Sequence, residues 1–326
     1  MTAKREGTLR LLDGGVVEQL LVADEVTAAV RDAYTLHSAG GGRVFPLVRE
    51  KLPAGAVFGI KTGDIPMRGV LGFKAAGFWP NNRKLDAEAH QATIMLIDPA
   101  TGRPTCLIDG NAVTTMRTGA AGGLGAELFS RTDSTRLCVF GTGIQARVQV
   151  EFALRARPSL SEIRYVSSDG RPRPEFESLF AADHTVSHSP DPDAAVAASD
   201  IVITATPGGG ALFSADAVQD GTHLTCVGSD TRGKRELPPV LFERARVFVD
   251  DLTQAGEIGE LQWAAPVTPA VEIGTVLAGG EAFQRSDSEI TIFDATGLAL
   301  QDLTVAAYLY RRATEAGLGL RVDWPW

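Results

Sequence analysis

Residues 141–146 read Gly-Thr-Gly-Ile-Gln-Ala, a G-x-G-x-x-A run. It follows the β-rich run Arg136–Phe140 and opens a helical stretch, 144–157, that Pro158 stops. In that setting each residue has a task in holding a dinucleotide. Gly141 permits a tight turn, Gly143 lets backbone approach a pyrophosphate, and Ala146 lets helix close on strand. The first helical amides receive the anion, which places Thr142, Ile144 and Gln145 at the same ligand. A second strand, Glu162–Ser167, ends in Ser167-Ser168-Asp169 with Arg171 and Arg173 behind it. An acid at that strand end would bond the ribose 2′-hydroxyl of NAD, whereas an arginine accommodates the 2′-phosphate of NADP. Ser167, Ser168 and Arg171 lean towards NADP; Asp169 keeps NAD open.

A second glycine run, Gly228-Ser-Asp-Thr-Arg-Gly233-Lys234, fits G-x-x-x-x-G-K. Arg235 stands where a Mg²⁺-holding Ser or Thr is needed, and Pro238-Pro239 interrupt the helix that should follow, so an ATPase reading fails. Asp230 in this run follows an apolar strand, at the sheet edge where doubly wound folds bind ligands. The five histidines and three cysteines show no metal-ligand spacing, so no metal site is expected. Cys106, Cys138 and Cys226 each sit in an apolar run and read as buried thiols in a reducing compartment.

The elements that must position these residues alternate. Strand runs at Arg136–Phe140, Glu162–Ser167, His184–Ser187, Asp200–Thr206, His223–Gly228 and Arg246–Asp250 are separated by helical segments at 144–157, 174–182, 193–198, 214–218 (capped by Ser214) and 239–245. That rhythm means βαβ units and a parallel sheet. The flanks differ. Residues 1–111 hold strand runs at Val57–Thr62, Gly69–Ala76 and Ala92–Ile97, plus a helix marked by Val26, Val30, Ala33 and Tyr34. A small-residue helix, Val113–Phe129, leads into the first βαβ strand. Near the end come a strand, Glu289–Phe293, and a helix, Leu298–Ala313, with Ala299, Leu303, Ala306 and Tyr310 on its apolar face. The expected fold is α/β, a doubly wound parallel-sheet domain (117–297) inserted in an α+β domain built from both chain ends (1–116 and 298–326).

Bulk properties narrow the function classes. The 326 residues carry 31 Lys and Arg against 40 Asp and Glu, a formal net charge of −9. With no basic block, nucleic acid is a disfavoured partner. Apolar runs are too short to span a bilayer and no apolar segment follows Met1–Gly7, so no membrane partner and a cytoplasmic location are expected. Thirty-five glycines and 17 prolines are an excess that asks where backbone must approach something closely.

Four segments together resemble the ornithine cyclodeaminase/μ-crystallin family: Arg117-Thr-Gly-Ala-Ala-Gly-Gly123, the 141–146 turn, Gly228-Ser-Asp230-Thr-Arg-Gly-Lys234-Arg-Glu236-Leu237, and Phe293-Asp294-Ala-Thr-Gly297-Leu-Ala-Leu-Gln301-Asp302. The likeness runs from about Pro46 to about Tyr310, in order. The resemblance implies a Rossmann domain, a substrate domain that also forms a homodimer, and hydride transfer between a nicotinamide and an amino acid Cα. It implies that Arg49, Lys61, Lys74 and Arg117 meet the substrate carboxylate, with Lys74 and Asp230 handling protons. A planar arginine fork suits a carboxylate, and a cation near the reacting centre can polarise an imine or give up a proton. The resemblance also puts Thr118, Thr206, Gly228 and Asp294 near the cofactor. Ala89-His90-Gln91-Ala92-Thr93 is similar to a segment of ketimine reductases, which makes His90 a substrate-side candidate. The expected function is NAD(P)-dependent oxidation or reduction of a small amino or imino acid, by a ketimine reductase or alanine dehydrogenase-like enzyme. An ornithine or lysine cyclodeaminase and a non-enzymatic NADP-binding crystallin stay open as alternatives.

Overall fold

The computed structural model describes residues 7–279 and 283–324. Residues 1–6, on which the targeting expectation rests, lie outside the described residues, as does Gly280. The chain divides into two compact units, Met1–Arg117 with Leu298–Trp326, and Thr118–Gly297.

In the first unit the strands are β1 (Gly7–Leu12), β2 (Arg43–Val44), β3 (Val48–Lys51), β4 (Val57–Ile65), β5 (Val70–Phe78), β6 (His90–Ile97) and β7 (Pro104–Asp109). The second unit holds β8 (Arg136–Phe140), β9 (Glu162–Val166), β10 (Thr185–His188), β11 (Ile201–Thr204), β12 (His223–Cys226), β13 (Ala245–Val249), β14 (Ala270–Glu272) and β15 (Ile290–Asp294). The chain then returns to the first unit for β16 (Leu320–Trp324).

The first sheet runs β16-β1-β7-β6-β5-β4-β2, with β3 also on β4. Its centre is an antiparallel meander, β4 to β7. The nine-residue strands β4 and β5 are longer than the short runs expected, and β1, β7 and β16 carry no sequence signal strong enough to have been anticipated. The helix Ala23–Ser38 buries Val26, Val30, Ala33 and Tyr34, the expected stripe. The helix Ala299–Glu315 lies on it and on β4, β5 and β6. Its buried set is wider than expected, taking in Gln301 and Asp302, whereas Tyr310 is only half-buried.

The second sheet is parallel throughout, in the order β10-β9-β8-β11-β12-β15-β13-β14. Counted from β8, its first five strands have the 3-2-1-4-5 order of a Rossmann-type domain, whose direction of winding reverses between β8 and β11. Strands β11, β12 and β15 are buried at every residue, as strands covered on both faces must be.

Three helical expectations are corrected. Residues 174–182 form one α-turn, Pro174–Glu177, before loosening. The 214–218 segment is a three-residue 3-10 turn that Ser214 does not cap by its side chain. Residues 239–245 begin as a 3-10 turn, Pro239–Glu243, and already enter β13 at Ala245. Such short segments lack the length to propagate an α-helix.

The glycines of the helix Gly110–Phe129 find a packing reason within the second unit. A Cβ on Gly119 would lie 2.6 Å from Val148 and Phe152, and one on Gly122 would lie 1.8 Å from Gln149. Gly119 leaves room for the Val148 and Phe152 side chains of the helix Ile144–Ala156, and Gly122 for the end of Gln149.

Candidate active site

Strand alternation and register assemble the basic residues on one face of the first sheet. Lys61 pairs with Lys74, and Lys74 with Ile94; Arg49 pairs with Gly59, Gly59 with Ala76, and Ala76 with Ala92. Directly opposed residues share a face, as do residues two apart along a strand. Arg49, Lys61, Lys74 and His90 therefore all project to one side. Three rows can be read across that face. Gly63 and Gly72 form a small-residue row on which the helix Ala299–Glu315 rests: Cβ atoms there would meet Leu300 at 3.3 Å and Leu303 at 2.9 Å. Next comes the cation row, Lys61–Lys74. Beyond it lies a second small row, Gly59–Ala76–Ala92, with Arg49 folded over Gly59, where a Cβ would sit 3.2 Å from its Cδ.

Lys74 is 4% exposed, Arg117 8% and Asp302 0%. Lys74 Nζ donates to Asp302 Oδ1 at 2.8 Å and to Thr114 Oγ1 at 3.3 Å, and Arg117 Nε donates to the same Asp302 oxygen at 3.1 Å. Thr114 and Arg117 are three apart on the helix Gly110–Phe129, so they face the same way. That helix starts tight against the sheet: a Cβ on Gly110 would lie 2.9 Å from the Ala92 Cβ. Asp302 lies in the opening turn of its helix, which the capping Gln301 fixes. Gln301 accepts from the Leu298 amide at 2.7 Å and donates to the Tyr34 hydroxyl at 2.9 Å. Burial, and then Arg117 and Lys61 nearby, push the Lys74 ammonium down to about 7, although Asp302 opposes them. Burial works against the charge on Asp302, yet Lys74 and Arg117 hold its carboxyl below the usual range. Two cations thus share one carboxylate in a buried site. That arrangement can take a further anion and can gain or lose a proton near neutrality.

His90 opens β6 opposite Phe78, and its carbonyl accepts from Asn111 Nδ2 at 3.3 Å. It shares the face of Lys74 but lies two rows away.

In the second unit, the 141–146 turn has the geometry its sequence implies. Gly141 has φ +103°, and a Cβ there would lie 2.9 Å from the Ala205 carbonyl oxygen, so the fold itself demands glycine. Gly143 is different. Its φ of −76° suits any residue, and no atom lies within 4 Å of where its Cβ would be. Among the described residues nothing requires a glycine at 143; open space above an uncapped 13-residue helix is what a pyrophosphate would use. Ile144 is exposed at the turn, Ala146 is buried beneath it, and the Gln145 Oε1 has no hydrogen-bond partner among the described residues. The residues present fit a dinucleotide.

At the end of β9, Ser167 Oγ donates to the Arg171 carbonyl at 2.7 Å and lies 3.1 Å from His188 Nε2. Asp169 is paired with Arg173 at 2.7 Å, while Ser168 and Arg171 are exposed. The acid that kept NAD open is thus engaged by an arginine.

Other expected ligand residues are already engaged by the protein. Thr206 donates to Glu236 from both its amide and its hydroxyl, each at 2.7 Å; the Gly228 amide does so at 3.0 Å and the Thr204 hydroxyl at 2.7 Å. Thr118 lends its carbonyl to Gln149 Nε2 at 2.6 Å. Asp230 accepts from Lys234 Nζ at 2.7 Å and from the Thr231 hydroxyl at 3.1 Å. Asp294, expected near the cofactor, also has a task in the fold. It is fully buried, accepts from the Leu261 amide at 2.9 Å, and burial drives its pKa far up. Its carboxyl fastens the 260–263 turn.

Sequence reasoning assigned no role to Thr114, Glu236, Glu260 or Asp302. Asp302 had a usable signal: an acid set among Ala299, Leu303 and Ala306 on an apolar helix face needs a cationic partner.

The family model for the ornithine cyclodeaminase/mu-crystallin family matches residues 13–317. The chain is 35% identical to an iminosuccinate reductase of Paracoccus denitrificans, over 86% of this chain and 88% of that one. It is 33% identical to an alanine dehydrogenase of Archaeoglobus fulgidus, over 94% and 95%. The structure of a Thermococcus litoralis Δ1-pyrroline-2-carboxylate reductase with NADH and L-proline superposes with a TM-score of 0.87 at 25% identity, covering 96% of this chain and 100% of that one. With a family match across nearly its whole length and relatives above 30% identity, this chain is an enzyme of the ornithine cyclodeaminase/mu-crystallin family.

Proposed function

We propose that the protein is an NAD(P)-dependent oxidoreductase acting at the Cα–N bond of a small amino or imino acid. Reduction of a cyclic ketimine is the leading reaction, with an alanine dehydrogenase-like reaction beside it. The observation that carries this reading is the buried Lys74–Asp302–Arg117 cluster, whose two cations share one carboxylate. A substrate carboxylate would complete it. Arg117 and Arg49 bind that carboxylate, Lys61 adds to the positive field, and His90 borders the same sheet face. Lys74 delivers a proton to the imine nitrogen during reduction and removes it in the reverse direction. Asp230 is the second proton-handling group.

When bound, the nicotinamide supplies or accepts a hydride, so an imine gains one hydride at carbon and one proton at nitrogen to become an amine. Gly141, Thr142, Gly143, Ile144 and Gln145 would hold its pyrophosphate, and Ser167, Ser168 and Arg171 its adenosine ribose. Thr118, Thr206 and Gly228 would line the remainder. The exposed Arg171 and the Asp169–Arg173 pair support the lean to NADP. A homodimer is carried forward from the family resemblance.

The test follows nicotinamide absorbance with NADH or NADPH and either pyrroline-2-carboxylate or piperideine-2-carboxylate. Stoichiometric cofactor oxidation is the expected outcome. Oxidation only with pyruvate and ammonia would select the alanine dehydrogenase-like reaction. Ammonia release from ornithine or lysine with no net cofactor change would overturn the reading in favour of a cyclodeaminase. Dinucleotide binding without turnover of any of these would favour a binding protein.

A further inference from the structure

We propose that Asp302 is the positioning residue of this site: by taking Lys74 Nζ and Arg117 Nε on one carboxylate oxygen, at 2.8 and 3.1 Å, it fixes both where the two cations stand and which charge Lys74 carries. The proposal rests on the functional reading above for what the site does, but its geometry stands independently.

Three observations carry it. First, Asp302 is completely buried, with Ala299, Leu303, Val305 and Ala306 buried around it on the same helix. An ionised carboxylate there is costly without cations beside it, so Lys74 and Arg117 are as necessary to Asp302 as it is to them. Second, both donors converge on Oδ1, and Oδ2 has no hydrogen-bond partner among the described residues. A carboxylate built only to tie two elements together would use both oxygens; this one brings Nζ and Nε to a common point. Third, Asp302 is itself fixed, because Gln301 beside it is locked between the Leu298 amide and the Tyr34 hydroxyl. A rigid anchor makes the cation positions rigid.

Every charged or polar group named around Lys74 then acts with a known sign. Arg117 and Lys61 disfavour its ammonium form, Asp302 favours it, and Thr114 is a neutral partner. Removing the Asp302 charge must make Lys74 lose its proton at lower pH. Removing the Arg117 charge must do the reverse. A proton donor that empties earlier moves the alkaline limb of the reductive kcat/KM profile downward.

The experiment uses the full-length protein labelled at lysine Cε with ¹³C, with Lys74 assigned by its loss in Lys74→Met. Asp302→Asn is the first variant and Arg117→Gln the second. The expected result is a Lys74 titration midpoint about one unit or more lower in Asp302→Asn and higher in Arg117→Gln, the size usual for a charge at this distance. In Asp302→Asn the alkaline limb should fall with the midpoint, while dinucleotide affinity stays within about twofold of the parent, the scatter expected of an uncoupled site. A Lys74 midpoint that does not move in Asp302→Asn overturns the proposal, whatever the activity. If Asp302→Asn does not fold, Asp302→Glu decides: it keeps the charge but moves the oxygen that Lys74 Nζ and Arg117 Nε share, and a Lys74 midpoint and kcat/KM profile both unchanged from the parent overturn the proposal. The midpoint is read without substrate, so shifts of the stated signs support the proposal even if no reductase activity is found; in that case only the functional reading fails.

Discussion

Two regions of this protein bury charge in opposite ways. In the second unit, Glu236 receives four donors, from the Thr204 hydroxyl, the Thr206 amide and hydroxyl, and the Gly228 amide. Glu260 receives the amides of Glu236 and Leu237 at 2.7 and 3.1 Å. These acids knit loops at the carboxyl ends of β11 and β12, and their partners are backbone and hydroxyl groups. Burial raises both, Glu260 to about 7. In the first unit, by contrast, Lys74 and Arg117 compete for one oxygen of Asp302. The acids are satisfied by the protein; the cations are not balanced by it. Buried polar groups that the chain fully pairs hold the fold, whereas an incompletely balanced set is where a ligand can contribute. Under the proposed function, the difference separates scaffold from site.

That contrast can be broken first at Lys74. Lys74→Ala should lower turnover by ~10²–10⁴-fold, the range for removing a general acid, with dinucleotide affinity nearly intact in a direct titration. Retained activity would move Lys74 to the scaffold side. In the reductive direction kcat/KM should fall as pH rises through about 7, where Lys74 loses its proton, and in the oxidative direction it should rise over the same interval.

The glycine turn allows a sharper cut. Gly141→Ala places a side chain at φ +103° and against the Ala205 carbonyl, so the unfolding midpoint should drop, with strain on the order of 1–3 kcal/mol. Gly143→Ala meets nothing among the described residues. It should leave thermal stability unchanged while weakening dinucleotide binding. Equal effects of the two substitutions on stability would remove the distinction between a glycine kept for the fold and one kept for a ligand.

On the scaffold side, Glu236→Gln turns an amide NH₂ towards groups that donate. Denaturant unfolding at pH 7 should show a loss of ~1–3 kcal/mol, the usual cost of leaving a buried donor unsatisfied. An unaltered midpoint would mean that this acid is not the tie described here. The smallest effect is expected at Arg171. Arg171→Ala should weaken NADPH binding by about fivefold, on the order of 1 kcal/mol for an exposed charge contact, while NADH binding is unchanged. Tighter binding of NADH than NADPH by the parent protein would refute the lean to NADP.

Much of the second unit was legible because local signals and tertiary structure agree there. Continuous apolar strands, a glycine turn and a proline stop all mark β8 and the helix after it. The first unit was harder to read. β1 and β16 are edge-side strands whose pairing joins the two ends of the chain, and no local pattern announces a partner some 300 residues away. The site divides along the same line. Arg49, Lys61, Lys74 and Arg117 could be named from motifs, but the face that Arg49, Lys61 and Lys74 share follows from register, which sequence alone does not specify, and Arg117 reaches Asp302 from a helix. Asp302 lay inside a recognised motif without a role, because its cations come from residues 74 and 117, and only the folded chain brings the three together. Asp294 shows the opposite limit: an acid at a strand end reads as a ligand contact, and the fold also uses it, through Oδ2, to hold the Leu261 amide.

The row Gly59–Ala76–Ala92 has a consequence for how such an enzyme could change what it accepts. Gly59 cannot acquire a side chain, since a Cβ would lie 2.7 Å from the Val48 carbonyl oxygen, and Ala92 is closed off by the start of the helix at Gly110. Ala76 alone of the three retains exposed surface. A larger side chain at that one position would rise from the same sheet face, one row from Lys61 and Lys74. Under the proposed function, a change of size at position 76 would alter which substrate fits while every charged residue keeps its identity.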